Sequence, residues 1–170
     1  MTTVAGFGFR RGATVASLRD ALAQAMAAAP PWPRAATVTS PLPLPLPLPL
    51  PLPLPLPLPL PPLVLLAAPQ DKADAPCLRA LAYELGLPVH AVDAAVLNVT
   101  PTLTDSAKVR ALRGSGSTAE AAAWAAASVH GGPGAILLHP RAVSADRLAT
   151  CAIAVAIPGA TPAPQSTLES

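Results

Sequence analysis

Three places in this chain carry residue types and spacings able to do chemistry. The first is a glycine-rich stretch with two arginines, Gly6, Gly8, Arg10, Arg11 and Gly12, between an apolar run and Thr14. Its spacing, G-x-G-x-x-x-G, is one residue too long for a dinucleotide fingerprint, and no acid follows about 20 residues later at a second strand end. Two readings remain: glycines that let backbone amides approach an anion, or glycines that serve the turn alone. The second place is Lys72 and Asp74, just after another apolar run. The third is Ser115, Gly116 and Ser117 ahead of an alanine-rich stretch, where Ser117 and Glu120 make the S-x-x-E of a capping box. Glu120 is the weak catalytic candidate, since a general base would need a water and a raised pKa. His90, His130 and His139 show no metal-ligand spacing, and Ser144 lacks a nucleophile-elbow context. No metal and no cofactor are expected.

The elements that must position these groups follow from periodicity. Thr3–Phe9, Leu63–Ala67, Pro88–Val92, Ala135–Leu138 and Leu148–Ile157 read as strands. Thr14 caps a helix reaching Ala28, with Leu18, Leu22 and Met26 recurring every four residues. Asp74 is expected to cap a second helix with Pro76 in its first turn, and Gly86 to close it with Leu87 in a Schellman arrangement. Asp93 caps one helical turn, Ser106 opens a weak helix to Leu112, and Ser117 opens the alanine-rich helix. The order is that of α/β layering, with room for a hairpin at the end. In an open α/β sheet, loops after the strands converge on one crevice, which is where Arg10, Lys72 and Ser117 are expected to meet.

Composition sets limits. The net charge is +2 and aromatics make up 3% of the 170 residues, which argues against nucleic acid as a partner. Cys77 and Cys151, 74 residues apart with no CxxC, read as buried thiols in a reducing compartment. The N-terminus lacks the layout of a signal peptide, so a cytoplasmic protein is expected. Residues 41–62 are ten Pro-Leu units followed by two prolines. Hydropathy alone would mark a membrane span there, but every second residue lacks an N–H and the carbonyls would go unpaired in lipid. No membrane is expected as a partner. A polyproline II segment of roughly 60–70 Å is expected instead, carried as a loop. Its three-fold screw spreads a two-residue repeat over all faces, so no apolar stripe forms. One domain over 1–160 is expected, interrupted by 41–62 and followed by a disordered tail at 161–170.

Three blocks in order, VAGFGFRRGAT (4–14), LAAPQDKADAPCLRALAYELGLPV (66–89) and GSGSTAEAAAWAAA (114–127) followed by ILLHPRAVSADRLATCAIA (136–154), resemble the family of CobE and the C-terminal domain of CbiG, the cobalt-precorrin-5A hydrolase. The chain departs from the family in its Pro-Leu insertion and in Thr118, where valine is more usual. The resemblance implies a three-layer α/β/α domain, with a mixed, mostly parallel sheet of about five strands, serving cobalamin (vitamin B12) biosynthesis. It also implies a corrinoid pathway intermediate as ligand and other enzymes of that pathway as possible partners. Such a ligand bears several carboxylates, which arginine forks and helix N-termini suit. The ligand-binding candidates are therefore Gly8, Arg10, Gly12, Lys72, Gly116 and Ser117, with Arg11 secondary. Three functions fit: a CobE-like binder that holds or hands over a corrinoid, a hydrolase-like enzyme opening a lactone with release of acetaldehyde, and a pathway subunit that touches no ligand. The hydrolase's upstream domains have no counterpart in this sequence, which leaves open whether the chain is itself an enzyme.

Overall fold

Both faces of the first strand are apolar, so it must be covered twice, and that requirement organises the molecule. The computed structural model describes residues 1–29, 62–100, 117–138 and 140–157. In chain order the elements are β1 (Thr2–Phe9), α1 (Val15–Ala28), β2 (Leu63–Pro69), α2 (Gln70–Ala73), α3 (Pro76–Leu85), β3 (Val89–Val92), α4 (Ala94–Val99), α5 (Thr118–Gly131), β4 (Ala135–Leu137), β5 (Ala142–Val143) and β6 (Ala149–Ala156). The sheet runs β3-β2-β1-β6-β4, with β5 also on β6. β1, β2 and β3 pair in parallel, whereas β6 is antiparallel to β1, β4 and β5. Among the described residues five strands thus point one way and β6 is reversed, giving the mixed, mostly parallel sheet of an α/β fold. The Pro-Leu tract up to residue 61, the weak helix at 106–112 and the tail at 161–170 lie outside the described residues.

Val4, Leu65, Ala67, Val92, Ala152, Ala154 and Ala156 face α4 and α5. Ala5, Phe7, Phe9, Leu66, Ala68, Cys151 and Ile153 face α1 and α3. These are the three layers. The helix layers approach at different distances because the side chains differ. Phe7, Leu18, Leu78 and Leu81 fill one side, while the other is built mainly from alanine, with Val4, Leu65, Val92 and Leu97. Gly6 shows how close α5 comes: a Cβ there would lie 2.2 Å from the Ala119 carbonyl oxygen and 2.4 Å from the Ala123 nitrogen. Gly6 and Gly8 therefore sit within β1 rather than in the turn that follows it, and only Gly12, with φ of 88°, serves that turn.

Three of the expected caps form, at Thr14, Asp93 and Gly86. Thr14 and Ser17 make a reciprocal capping box on α1, and Asp93 accepts from the Ala95 N–H at 3.0 Å. Gly86 closes α3 at φ 65°, and the Leu87 N–H reaches the Ala82 carbonyl at 3.0 Å. Asp74 does not cap α3. The N-cap is Ala75, because the short α2 ends on Asp74 and Pro76 has already removed one of the donors that a cap would satisfy. The terminal hairpin exists, with β5 and β6 joined by a turn around Asp146. That carboxylate accepts from the Ser144 hydroxyl, from the Leu148 N–H at 3.0 Å and from the Ser17 hydroxyl in the first turn of α1.

These bonds, the Ser144 hydroxyl first, then the Ser17 hydroxyl and the Leu148 N–H, hold the Asp146 carboxyl below its usual range. A depressed carboxyl stabilises the fold above the unfolded value of about 4, and that contribution is lost as pH falls through the lower folded value. Asp146→Asn is therefore expected to melt below the wild type at neutral pH, with the gap narrowing below about pH 4. A gap unchanged from neutral pH into strong acid would show that the carboxylate charge contributes nothing to the turn.

Candidate functional site

The loops after β1 and β2 open on the sheet edge where the parallel strands end. Helix α5 runs back along β1, from Thr118 and Ala119 over Gly8 to Gly131 against Thr2 and Ala156, so its N-terminus opens on that same edge. Arg10 is exposed and its N–H donates to the Leu148 carbonyl at 2.9 Å, which pins the loop to the β5–β6 turn. The loop then closes through the Ala13 N–H on the Arg10 carbonyl at 3.2 Å, with exposed Gly12 in the left-handed region. Lys72, half-buried on α2, reaches back over β1. Its ammonium donates to the Phe9 carbonyl and lies 5.1 Å from the centre of the Phe9 ring. Gly8 is buried beneath these groups. A Cβ there would be 2.9 Å from the Thr150 hydroxyl, which itself donates to the Gly8 carbonyl at 2.9 Å. Gly116 lies outside the described residues.

The start of α5 departs from the expected capping box. Ser117 is the N-cap by backbone geometry, but its side chain makes no cap bond. Its hydroxyl is fully buried and has no hydrogen-bond partner among the described residues. Such an orphan costs about 1–3 kcal/mol of desolvation. Glu120 does not bond back to Ser117. It is completely buried and accepts from the Arg141 N–H at 2.9 Å. The chain from Leu137 to Ala142 is two residues longer than the β6 stretch it passes, Ala154 to Cys151, and Arg141 comes at the end of that excess. Arg141 thus stands against the first turn of α5, although nothing in the sequence places it beside a helix terminus.

Beside this edge, at the ends of β2 and β3, lies an open cleft of about 890 Å³. Pro69 and Leu97 give it apolar walls, and Gln70, Asp71, Asp93 and Asn98 give it polar ones. Sequence reasoning missed Gln70 and Asn98 as site residues, because α2 and the second turn of α4 carry no motif. Gln70 directly follows β2, whereas Asn98 lies a full turn beyond the Asp93 cap.

The remaining candidates are accounted for by structure. Ser144 is buried, donates to Asp146 and accepts from the Ala149 N–H at 3.0 Å. Both cysteines are free; burial pushes the Cys151 thiol up, while Cys77, expected to be buried, is only half so because it stands in the exposed first turn of α3. No helix among the described residues is long and apolar enough to cross a membrane. Among those residues no group of three or more His, Cys, Asp or Glu side chains is arranged to hold a metal ion. His90 and His130 are nevertheless brought together, with His130 Nε2 3.1 Å from His90 Nδ1. His139 lies outside the described residues.

Residues 58–154 match the family described as cobalamin synthesis G C-terminus. No match was found among curated proteins. Of solved structures, the chain is similar to CobE, a protein from the cobalamin (vitamin B12) biosynthetic pathway, at 32% identity over 90% of this chain and 89% of that one, with a TM-score of 0.64. It is also similar to the cobalamin biosynthesis protein chiG from Agrobacterium tumefaciens str. C58, at 29% identity over 91% of this chain and 98% of that one, with a TM-score of 0.51. The family match takes in the second and third sequence blocks and the CobE match spans nearly the whole chain: the protein belongs to the CbiG C-terminal family and is a cobalamin biosynthesis protein of CobE/CbiG type.

Proposed function

We propose that the chain binds a corrinoid intermediate of cobalamin biosynthesis at the edge formed by the β1 and β2 loops and the start of α5, and holds it or hands it on. The observation that carries this reading is the buried Ser117 hydroxyl, without a partner among the described residues, at the head of a 14-residue helix and on the same sheet edge as Arg10 and Lys72. A hydroxyl left without a partner among the described residues is a group for which a ligand oxygen supplies the missing bond. Carboxylate arms suit the Arg10 side of the edge. The cleft at the ends of β2 and β3, with Asp71 and Asp93 on its walls, suits uncharged or donor groups of the same ring. Burial of Glu120 against the Arg141 N–H favours holding over hydrolysis, because a carboxylate with no exposure is not placed to activate water.

The test is a spectral titration with a corrin-ring polycarboxylic acid at fixed ionic strength. One charge-assisted hydrogen bond contributes about 1.5–3 kcal/mol. Arg10→Ala is therefore expected to weaken binding by about tenfold or more. Arg19→Ala, on the outer face of α1 in an exposed pair with Glu84, is expected to bind as the wild type does. Ser117→Ala should bind more weakly and yet melt no lower, since the variant removes an unsatisfied group. Equal affinity for wild type and Arg10→Ala would move the site away from the glycine loop. Absence of binding altogether would leave the role of a pathway subunit.

A further inference from the structure

His90 and His130 are 40 residues apart, with no motif linking them. The fold brings them together on rigid elements: His90 on the edge strand β3, on its α5 face, and His130 in the last turn of α5. The two ring nitrogens are 3.1 Å apart, and the rings stand perpendicular with centroids 4.8 Å apart. A shared proton fits that distance. So does a shared metal ion, because two imidazole nitrogens each about 2.0–2.1 Å from one ion, on adjacent coordination positions, are themselves roughly 2.9–3.4 Å apart. We propose that His90 and His130 form a two-imidazole chelate for a divalent transition-metal ion, open to solvent and separate from the edge where Arg10 and Ser117 stand.

Two observations support a cation here. His130 is exposed and His90 half-buried, so an ion has access and solvent supplies the remaining ligands. The carbonyls at the end of α5 carry the partial negative charge of a helix C-terminus, which favours a cation in that last turn. With two protein ligands the ion is exchangeable rather than permanent, and the ligand type ranks copper(II) above nickel and zinc. Occupancy replaces the shared proton and ties β3 to α5 by coordination.

The experiment uses the full-length, untagged chain and copper(II) alone, read by calorimetry and by paramagnetic resonance. One ion per chain is expected, with nitrogen hyperfine structure. His90→Ala and His130→Ala should each weaken binding by about tenfold or more, and His139→Ala should leave it unchanged. Zinc should raise the melting temperature of the wild type and of neither pair variant, a readout that separates a shared ion from scattered surface binding. Wild-type affinity in either pair variant, or loss of binding in His139→Ala alone, would overturn the assignment and leave the two rings as a hydrogen-bonded tie.

Discussion

Gly6→Ala is expected to lower stability by about 3 kcal/mol, at the upper end of what overpacking costs. The added methyl meets backbone rather than a side chain that can rotate: the Ala119 oxygen at 2.2 Å, the Ala123 nitrogen at 2.4 Å and the Ala123 Cα at 2.8 Å. Relief requires moving α5 as a body. That helix is fixed by its buried alanines and by the Trp124 indole, which donates to the Ala135 carbonyl at 3.1 Å. Gly86→Ala, at φ 65° with open space around the new methyl, should cost only about 1 kcal/mol from backbone conformation. Urea unfolding of both variants checks the contrast. Gly6→Ala within half of the Gly86→Ala loss would mean that the contact between α5 and β1 yields far more readily than its geometry implies.

Glu120→Ala is expected to cost about 2–3 kcal/mol, through the acceptor taken from the Arg141 N–H and the space left in a packed interior. Glu120→Gln keeps an acceptor oxygen and should cost about 1 kcal/mol. The pair also separates two functions. If Glu120 positions the β4–β5 connection over the start of α5, Glu120→Gln retains corrinoid affinity and the wild type releases no acetaldehyde from a lactone-bearing intermediate. Acetaldehyde release by the wild type, abolished in Glu120→Gln, would establish the hydrolase instead. Unchanged stability in Glu120→Ala would show that the buried carboxyl does not hold the Arg141 segment.

Strands and long helices are legible in this sequence because their signals are local. Leu18, Leu22 and Met26 mark one face of α1, Gly86 stops α3, and β-branched and aromatic residues mark β1. The role of Gly6 is not legible, because it depends on which helix crosses β1. The same four letters that spell a capping box at Ser117–Glu120 produce none, because Arg141, 21 residues downstream, competes for the carboxylate. α2 and β5, of four and two residues, are too short to show a period. At the candidate site, Arg10, Gly12, Lys72 and Ser117 share one sheet edge as strand-end logic implies. Whether a lysine there faces outward depends on packing, and Lys72 turns its ammonium onto the Phe9 carbonyl and ring. The His90–His130 pair is invisible for a similar reason: its residues lie on a strand and a helix whose contact only the tertiary fold sets.

The reversed strand β6 also fixes when the protein can finish folding. β1, made before the other described strands, has two neighbours, β2 and β6, and the second bonds to it along its whole length from Thr2 to Phe9. The Thr150 hydroxyl and the Gly8 carbonyl that it meets are separated by 142 residues. The central seam of the sheet therefore closes only after β6 has left the exit tunnel, and the loop-closure cost is met late. Until then one side of β1 is an open row of amides and carbonyls, in a strand buried on both faces once folded. The sheet stays unfinished until then, and docking of the last strand, rather than growth of the parallel part, completes the fold.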